Sequence, residues 1–348
     1  MRFSKILTYW YSIHKRALPW RATKNPYHIW LSEIILQQTQ IKQGLPYYHS
    51  FIEHFPTVFE LASANEQEVL KLWQGLGYYS RARNLHATAK YVDHELDGKF
   101  PETYLELLKL KGVGDYTASA IASFCFNEPA AVVDGNVYRV LARYFGIFTP
   151  INSSKGQKEF KAIASDIIDT QNPAEHNQAL MEFGSLQCKP SNPDCSICVF
   201  NESCVAFRSN SVSDLPVKLK KNKVRIRHFN YLIKLDEDEK IIFEKRKQKG
   251  IWQNMYQFPL IESNEELDEE TLRKQINSTQ NLKIDDLSIT LFNEKDVIHK
   301  LSHQHLHTKF WILEQQGDNI EDFDFSEIKK YPTPMLISNF VNEFEAKY

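Results

Sequence analysis

Four cysteines, Cys188, Cys195, Cys198 and Cys204, fall within seventeen residues in the pattern C-x6-C-x2-C-x5-C. No other feature restricts the fold of this chain as much. Four thiols this close in sequence can wrap one metal centre, and packing alone has no use for the spacing. A single disulfide would leave two of the sulfurs unexplained. Four thiolates suit a tetrahedral zinc ion or an iron–sulfur cluster. Structural zinc sites usually pair two short knuckles, and here only Cys195–Cys198 is one. The wider arms on either side favour the bulkier [4Fe-4S] cluster.

The fifth cysteine, Cys125, lies in an apolar helical run and reads as a small core residue. Clustered thiols of this kind belong in a reducing compartment rather than a disulfide framework. The start, Met1-Arg2-Phe3-Ser4-Lys5, has no signal-peptide core, so the chain is expected in the cytoplasm. No stretch reaches the ~18 apolar residues of a membrane span. With 348 residues, 42% of them hydrophobic and 25% charged, two or three ordinary globular domains fit.

Net charge is −2, which argues against indiscriminate binding of polyanions. Its distribution is uneven. Residues 1–210 hold 21 Lys+Arg against 20 Asp+Glu, residues 211–228 hold six against one, and residues 229–348 hold 15 against 23. A neutral body, a basic strap (Lys218, Lys220, Lys221, Lys223, Arg225, Arg227) and an acidic tail make any polyanion contact local.

From about residue 3 to 208 apolar residues recur at helical spacing, as in Ile29, Trp30, Ile34, Ile35 and in Val137, Val140, Leu141, Tyr144. Asn25-Pro26 is a cap and first-turn pair for the helix carrying Glu33. Glycine pairs at Gly75/Gly77 and Gly112/Gly114 punctuate many short helices. Residues 209–227 read as a polar, then basic, linker. Beyond them, strands over His228–Leu235 and Lys240–Arg246 flank an acidic turn, Leu267–Ile276 reads as a helix, and Leu306–Leu313 alternates like a strand. The tail is therefore a small α+β domain over residues 228–348.

Individual motifs carry chemistry only weakly. Gly112-Val113-Gly114 is a tight turn ahead of a helix start, a place that accepts a phosphate or simply joins two helices. Asp134 ends an apolar run and opens a helix, which makes it an N-cap before it is a catalytic acid, and capping would itself keep the carboxylate ionised and fixed. Glu33 lies among apolar neighbours, where desolvation would push its carboxyl toward neutrality. Gly75–Leu85 joins flexible glycines, Tyr78-Tyr79 and two arginines, a mixture suited to wedging bases and holding phosphates.

Their order is more specific than any of them. Leu18–Arg21, Ser32–Gln40, Gly75–Leu85, Gly112–Thr117, Asp134–Arg139 and the cysteine loop together resemble the endonuclease III superfamily of DNA glycosylases. Within it the chain is most similar to the MutY-type adenine DNA glycosylases. The resemblance covers residues 1–208 strongly and the tail more weakly. It implies a mostly α, two-lobed helix-hairpin-helix glycosylase domain over 1–208 with a [4Fe-4S] cluster loop, then a small α+β Nudix-like domain. It implies a partner, too: double-stranded DNA holding adenine opposite 8-oxoguanine or guanine, bound by a monomer with no membrane contact.

The resemblance also assigns residues. Glu33 matches the general acid that protonates adenine N7, and Asp134 the carboxylate that stabilises the oxocarbenium-like sugar. Tyr116 stands where strand-nicking relatives carry a Schiff-base lysine, which implies a monofunctional enzyme. Trp20 and Arg21 match residues around the adenine pocket, with Leu36 lining the same region. Gln38 and Tyr78 match residues that fill or wedge the base stack, and Gly112 and Gly114 form the backbone-binding hairpin. Ser302 and His303, within His299–His303, match the loop that reads 8-oxoguanine, although Leu301 replaces its usual Phe. In the tail, Gly250 is followed six residues on by Tyr256 where a working Nudix hydrolase needs Glu, and Glu265, Glu266, Glu269 and Glu270 lack the rest of its metal set. No nucleotide pyrophosphatase activity is expected.

Overall fold

The computed structural model describes residues 2–220, 224–234, 236, 240–280, 287–314 and 323–347. Lys221 and Lys223 of the basic strap, Leu235 and residues 237–239 of the acidic turn lie outside the described residues. Two compact units emerge, one made of residues 1–63 and 83–220 and the other of residues 64–82 and 221–348.

The helices run in chain order as α1 (Arg2–His14), α2 (Pro26–Leu36), α3 (Ile41–His54), α4 (Val58–Ser63), α5 (Glu66–Leu72), α6 (Ser80–Leu96), α7 (Tyr104–Leu107), α8 (Asp115–Phe126), α9 (Gly135–Phe145), α10 (Ser154–Ile167), α11 (Pro173–Leu186) and α12 (Val205–Arg208). Local chemistry sets several of these boundaries. Asn25 caps α2 by accepting from the Tyr27 N–H at 2.9 Å, with Pro26 in the first turn, and such a cap contributes about 1 kcal/mol. Asp134 caps α9, accepting from the Val137 N–H at 2.7 Å. Gly146 ends α9 in the left-handed conformation.

The first unit's core gathers α1, α9, α10 and α11 around Leu7, Trp10, Val137, Val140, Leu141, Phe160, Leu180 and Phe183. On α9, Val137, Val140 and Leu141 present one buried stripe. Each such side chain contributes roughly 1.5–3 kcal/mol when fully buried. Gly184 lets α11 approach the start of α9 closely. A Cβ there would sit 2.7 Å from Asn136 Cβ and 2.8 Å from the Asn136 carbonyl oxygen. Cys125, expected in the core, is half-buried near the end of α8.

In the second unit, five strands form one sheet: β1 (Arg225–Lys234), β5 (Leu260–Ser263), β6 (Ser288–Leu291), β7 (Val297–Lys300) and β8 (Gln304–Glu314), in the order β5-β1-β8-β6 with β7 also on β8. β1 and β8 run parallel with His228 opposite His307 and Leu232 opposite Trp311, and the other pairings are antiparallel. Two small ribbons pair β2 (Lys240–Ile241) with β9 (Phe323–Asp324) and β3 (Glu244–Lys245) with β4 (Tyr256–Gln257). The single strand expected over Lys240–Arg246 is thus two short ones, and β1 starts at Arg225, inside the segment read as a linker. Helices α13 (Glu269–Gln280) and α14 (Met335–Lys347) complete the unit. Leu272 and Ile276 of α13 pack on Leu232, Ile261, Ile289, Trp311 and Leu313 of the sheet.

Residues 64–82 belong here through specific bonds. Lys71 Nζ donates to the Tyr331 carbonyl at 3.2 Å, Gln74 Nε2 to Ser338 Oγ at 2.7 Å, and Asn254 Nδ2 to Glu66 Oε1 at 2.6 Å. Among the described residues, no helix is long and apolar enough to cross a membrane.

Candidate active site

Helix α2 is buried along most of its length, from Tyr27 through Ile35, and this takes Glu33 inside with only 5% of its surface exposed. Burial raises the Glu33 carboxyl to about 7. The Tyr116 hydroxyl and Arg21 oppose this rise, and nearby Asp134 adds to it. Tyr116 sits in the first turn of α8 and donates its phenol proton to Glu33 Oε2 at 2.6 Å. Burial, together with Glu33 and Asp134, keeps that phenol far above its ordinary range.

Asp134 approaches from the start of α9. Its Oδ1 accepts from the Val137 N–H and its Oδ2 from Asn136 Nδ2, both at 2.7 Å. Burial raises its pKa on balance, against the opposing pull of Val137, Asn136 and Arg139. The two carboxyls therefore sit in different surroundings, Glu33 desolvated with one strong donor and Asp134 held by several.

Glu33, Tyr116 and Asp134 line one cavity of about 500 Å³, together with Trp20, Arg21 and Leu36. Six of the residues expected at the site from sequence thus meet in one place. Trp20 is buried edge-on to Tyr48, with ring centroids 5.1 Å apart. Arg21 is clamped by Glu182 of α11, with Nη1 to Oε1 at 3.0 Å and Nη2 to Oε2 at 2.9 Å, and its Nε donates to Gln178 Oε1 at 3.0 Å. Arg16 also pairs with Glu182 at 2.5 Å. Glu182 is only 1% exposed. Burial alone would raise its carboxyl, but the bonds from Arg16 and Arg21 take it down to about 2. Sequence reasoning gave Arg16, Gln178 and Glu182 no role. The available signal was an acid inside the otherwise apolar stretch Ala179–Phe183.

The remaining candidates lie elsewhere. Gln38, just beyond α2, is exposed with φ +57°. Gly112 (φ +78°) and Gly114 are exposed in the turn before α8, where the Lys111 carbonyl accepts from Thr88 Oγ1 at 2.7 Å. In the second unit, Tyr78 is 47% exposed with φ +48°, and its hydroxyl hydrogen-bonds the hydroxyl of Ser302. Ser302 and His303 are exposed between β7 and β8. Two residues assigned separately to DNA contact are therefore bonded neighbours.

Both parts of the chain have known counterparts. A model of the HhH-GPD superfamily base excision DNA repair proteins matches residues 31–165, and a NUDIX domain model matches residues 230–343. An adenine DNA glycosylase of Buchnera aphidicola (subsp. Baizongia pistaciae) is 37% identical over 313 residues, covering 89% of this chain and 86% of that protein. The chain belongs to the adenine DNA glycosylase family. The adenine DNA glycosylase of Homo sapiens is 42% identical over 213 residues, 59% of this chain and 39% of its own. Among solved structures, a thermostable thymine-DNA glycosylase aligns with TM-score 0.56 at 28% identity, over 60% of this chain and 95% of that one. An endonuclease III in a non-covalent DNA complex shares the fold, with TM-score 0.52 at 22% identity over 60% and 96%. The mostly helical glycosylase body and the Nudix-like tail expected from sequence are both present.

In this family member the cysteine run forms a second centre. All five cysteines are unbridged. Cys188, Cys195, Cys198 and Cys204 line one apolar pocket with Val140, Tyr144, Phe183, Phe200 and Val212. Burial pushes Cys198 up to about 11 and raises Cys195 and Cys204, with neighbouring sulfurs adding to each rise. Thiols gathered this closely bind a metal centre as thiolates, their negative charge offset by the cation. Arg143 Nη1 donates to Cys188 Sγ at 3.5 Å and the Phe200 N–H to Cys198 Sγ at 3.4 Å, so donors to bound thiolates are in place. Arg143 also laces the loop through the Lys189, Val212 and Leu215 carbonyls. Four thiols facing one apolar pocket, with these donors beside them, are a donor set that a [4Fe-4S] cluster accepts.

Proposed function

We propose that this enzyme removes adenine from double-stranded DNA where adenine is mispaired with 8-oxoguanine or guanine, leaving an abasic site. The observation that carries the proposal is the shared cavity of Glu33, Tyr116 and Asp134, with Glu33 raised to about 7. An adenine inside a duplex must be rotated out of the stack to reach such a cavity. Glu33, half-protonated near neutral pH, gives its proton to adenine N7. The C1′–N9 bond then breaks, and its electron pair leaves with the base. Asp134 stabilises the positive charge left on the sugar, and water adds at C1′, losing a proton. Unlike environments for two acids are how glycoside-cleaving sites divide donor from stabiliser. Trp20, Arg21 and Leu36 shape the pocket, with Glu182 holding Arg21 in place.

Tyr116 cannot form an imine with the abasic sugar, so the enzyme is monofunctional. Gln38, Tyr78 and the Gly112–Gly114 turn engage the duplex. Ser302 and His303 read the base opposite adenine through their hydrogen-bonding capacity. In this division of labour, the helical body within residues 1–208 excises, the segment ahead of β1 connects and the tail recognises the lesion, with no pyrophosphatase activity in the tail. Cys188, Cys195, Cys198 and Cys204 hold a [4Fe-4S] cluster, which when bound cross-links the loop and supplies no redox step to excision. The enzyme acts as a cytoplasmic monomer.

Duplexes holding adenine opposite 8-oxoguanine, guanine, cytosine or thymine test the proposal. Adenine is released from the first two alone, and borohydride traps no efficient protein–DNA adduct. Release from all four, or an efficient trapped adduct, refutes it.

A further inference from the structure

One face of the five-stranded sheet is covered only in part. Toward the ends of β1 and β8, Leu232, Trp311 and Leu313 lie beneath α13. Alternation along the same strands puts His228 and Asn230 of β1, and His305, His307 and Lys309 of β8, on that face nearer the strand starts. There the apolar pattern gives way to imidazoles.

His228 and His307 are direct partners across the parallel pair, with ring centroids 5.3 Å apart. Asp296, immediately before β7, puts Oδ2 3.4 Å from His307 Nδ1. One ligand atom from each of the three lies within 4.8 Å of the other two, and all three residues are half-buried. No other trio of His, Cys, Asp or Glu among the described residues meets that condition.

We propose that His228, His307 and Asp296 form a binding site for a divalent transition-metal ion of the zinc class. Two imidazoles and one carboxylate are a donor set that zinc accepts at about 2.0–2.2 Å, leaving a position for water or a fourth ligand. At those bond lengths the ligand atoms of a tetrahedral ion stand about 3.4 Å from one another, so modest rotation of the three side chains would bring atoms now within 4.8 Å of one another to that separation. Lys309, the nearby cation, is already engaged by Glu266 at 2.7 Å and by the Leu267 carbonyl at 2.9 Å. An ion pair alone would leave two imidazoles sharing one carboxylate; a metal ion uses a lone pair from each. A bound ion would tie β1 and β8 to the residue that opens β7, and β7 leads directly into Ser302 and His303. The site thus braces the loop assigned above to lesion reading, though its metal binding does not depend on that assignment.

The test is titration of the full-length, tag-free protein, its cysteine centre loaded, with cobalt(II) followed by visible absorption and with zinc(II) followed by calorimetry. The expected result is uptake of one ion per chain, with weak cobalt bands and none of the intense near-ultraviolet absorption of cobalt–thiolate bonds. His228→Ala and His307→Ala should each weaken binding at least about tenfold, Asp296→Asn should weaken it measurably, and His94→Ala, at an exposed position, should match the parent. Circular dichroism and the cluster's visible absorbance report whether each variant is folded. No uptake by the parent protein, equal uptake by folded His228→Ala and His307→Ala variants, or cobalt bands typical of thiolate ligation would each overturn the proposal.

Discussion

Glu33 does two incompatible things for the protein. A carboxyl raised from 4.5 to about 7 is a usable acid near neutral pH, and it is also a cost to the fold. Below about 4.5 the group is protonated in both folded and unfolded chains and costs nothing. Between 4.5 and 7 the unfolded chain ionises first, so stability falls as pH rises, and above 7 the full penalty of on the order of 3 kcal/mol applies. Glu33→Gln keeps an acceptor for Tyr116 and removes the charge. It should therefore lower single-turnover adenine release on the order of 10²–10⁴-fold while raising the melting temperature at pH 8 and leaving it nearly unchanged at pH 4. In the parent enzyme, release should decline as pH rises through about 7. The Tyr116 hydrogen bond pulls the Glu33 value down, so Tyr116→Phe should move that decline to higher pH. A pH–rate profile with no descending limb near 7 would remove Glu33 from the role of acid.

At the scale of elements, the Gly112 turn shows how local a legible feature is. The position needs φ +78°, and a Cβ there would come 2.7 Å from Asn84 Cβ. Gly112→Ala should cost about 1–2 kcal/mol for the left-handed backbone alone, more with the clash. It should weaken duplex binding in a mobility-shift assay while leaving the α2–α8 cavity chemistry intact. Unchanged stability and unchanged binding would show that the turn neither needs glycine nor meets DNA. The caps at Asn25 and Asp134 were readable for the same reason as this turn, since each joins residues two or three apart. Glu182 was not readable as an arginine clamp, because Arg16 lies 166 residues away and only folding brings them together. Arg143 was missed likewise, its carbonyl partners being 46 to 72 residues distant. The parallel β1–β8 pairing joins segments far apart in the chain, so the facing of His228 and His307 could not be read from alternation along either strand. Alternation also ran through the break between β2 and β3, where nothing in the apolar pattern marks the interruption.

For the molecule as a whole, order along the chain is a poor guide to which residues stabilise one another. Helix α5 lies amid helices of the glycosylase body in sequence, yet residues 64–82 pack with the C-terminal residues. Glu66, Lys71 and Gln74 bond to Asn254, Tyr331 and Ser338, and Tyr78 bonds to Ser302. Removing the tail does more than delete a domain. It strips the 64–82 segment of hydrogen bonds that a normal neutral pair contributes at about 1 kcal/mol each, and it exposes surface those residues covered. A chain ending at residue 220 should therefore show faster amide exchange across Glu66–Leu72 than the full-length protein, while α9 and α11, whose partners lie within residues 1–220, keep their protection. Local opening free energies follow local packing, so the difference should be confined to that segment. Equal protection of α5 in both proteins would mean that the helical body holds this segment by itself.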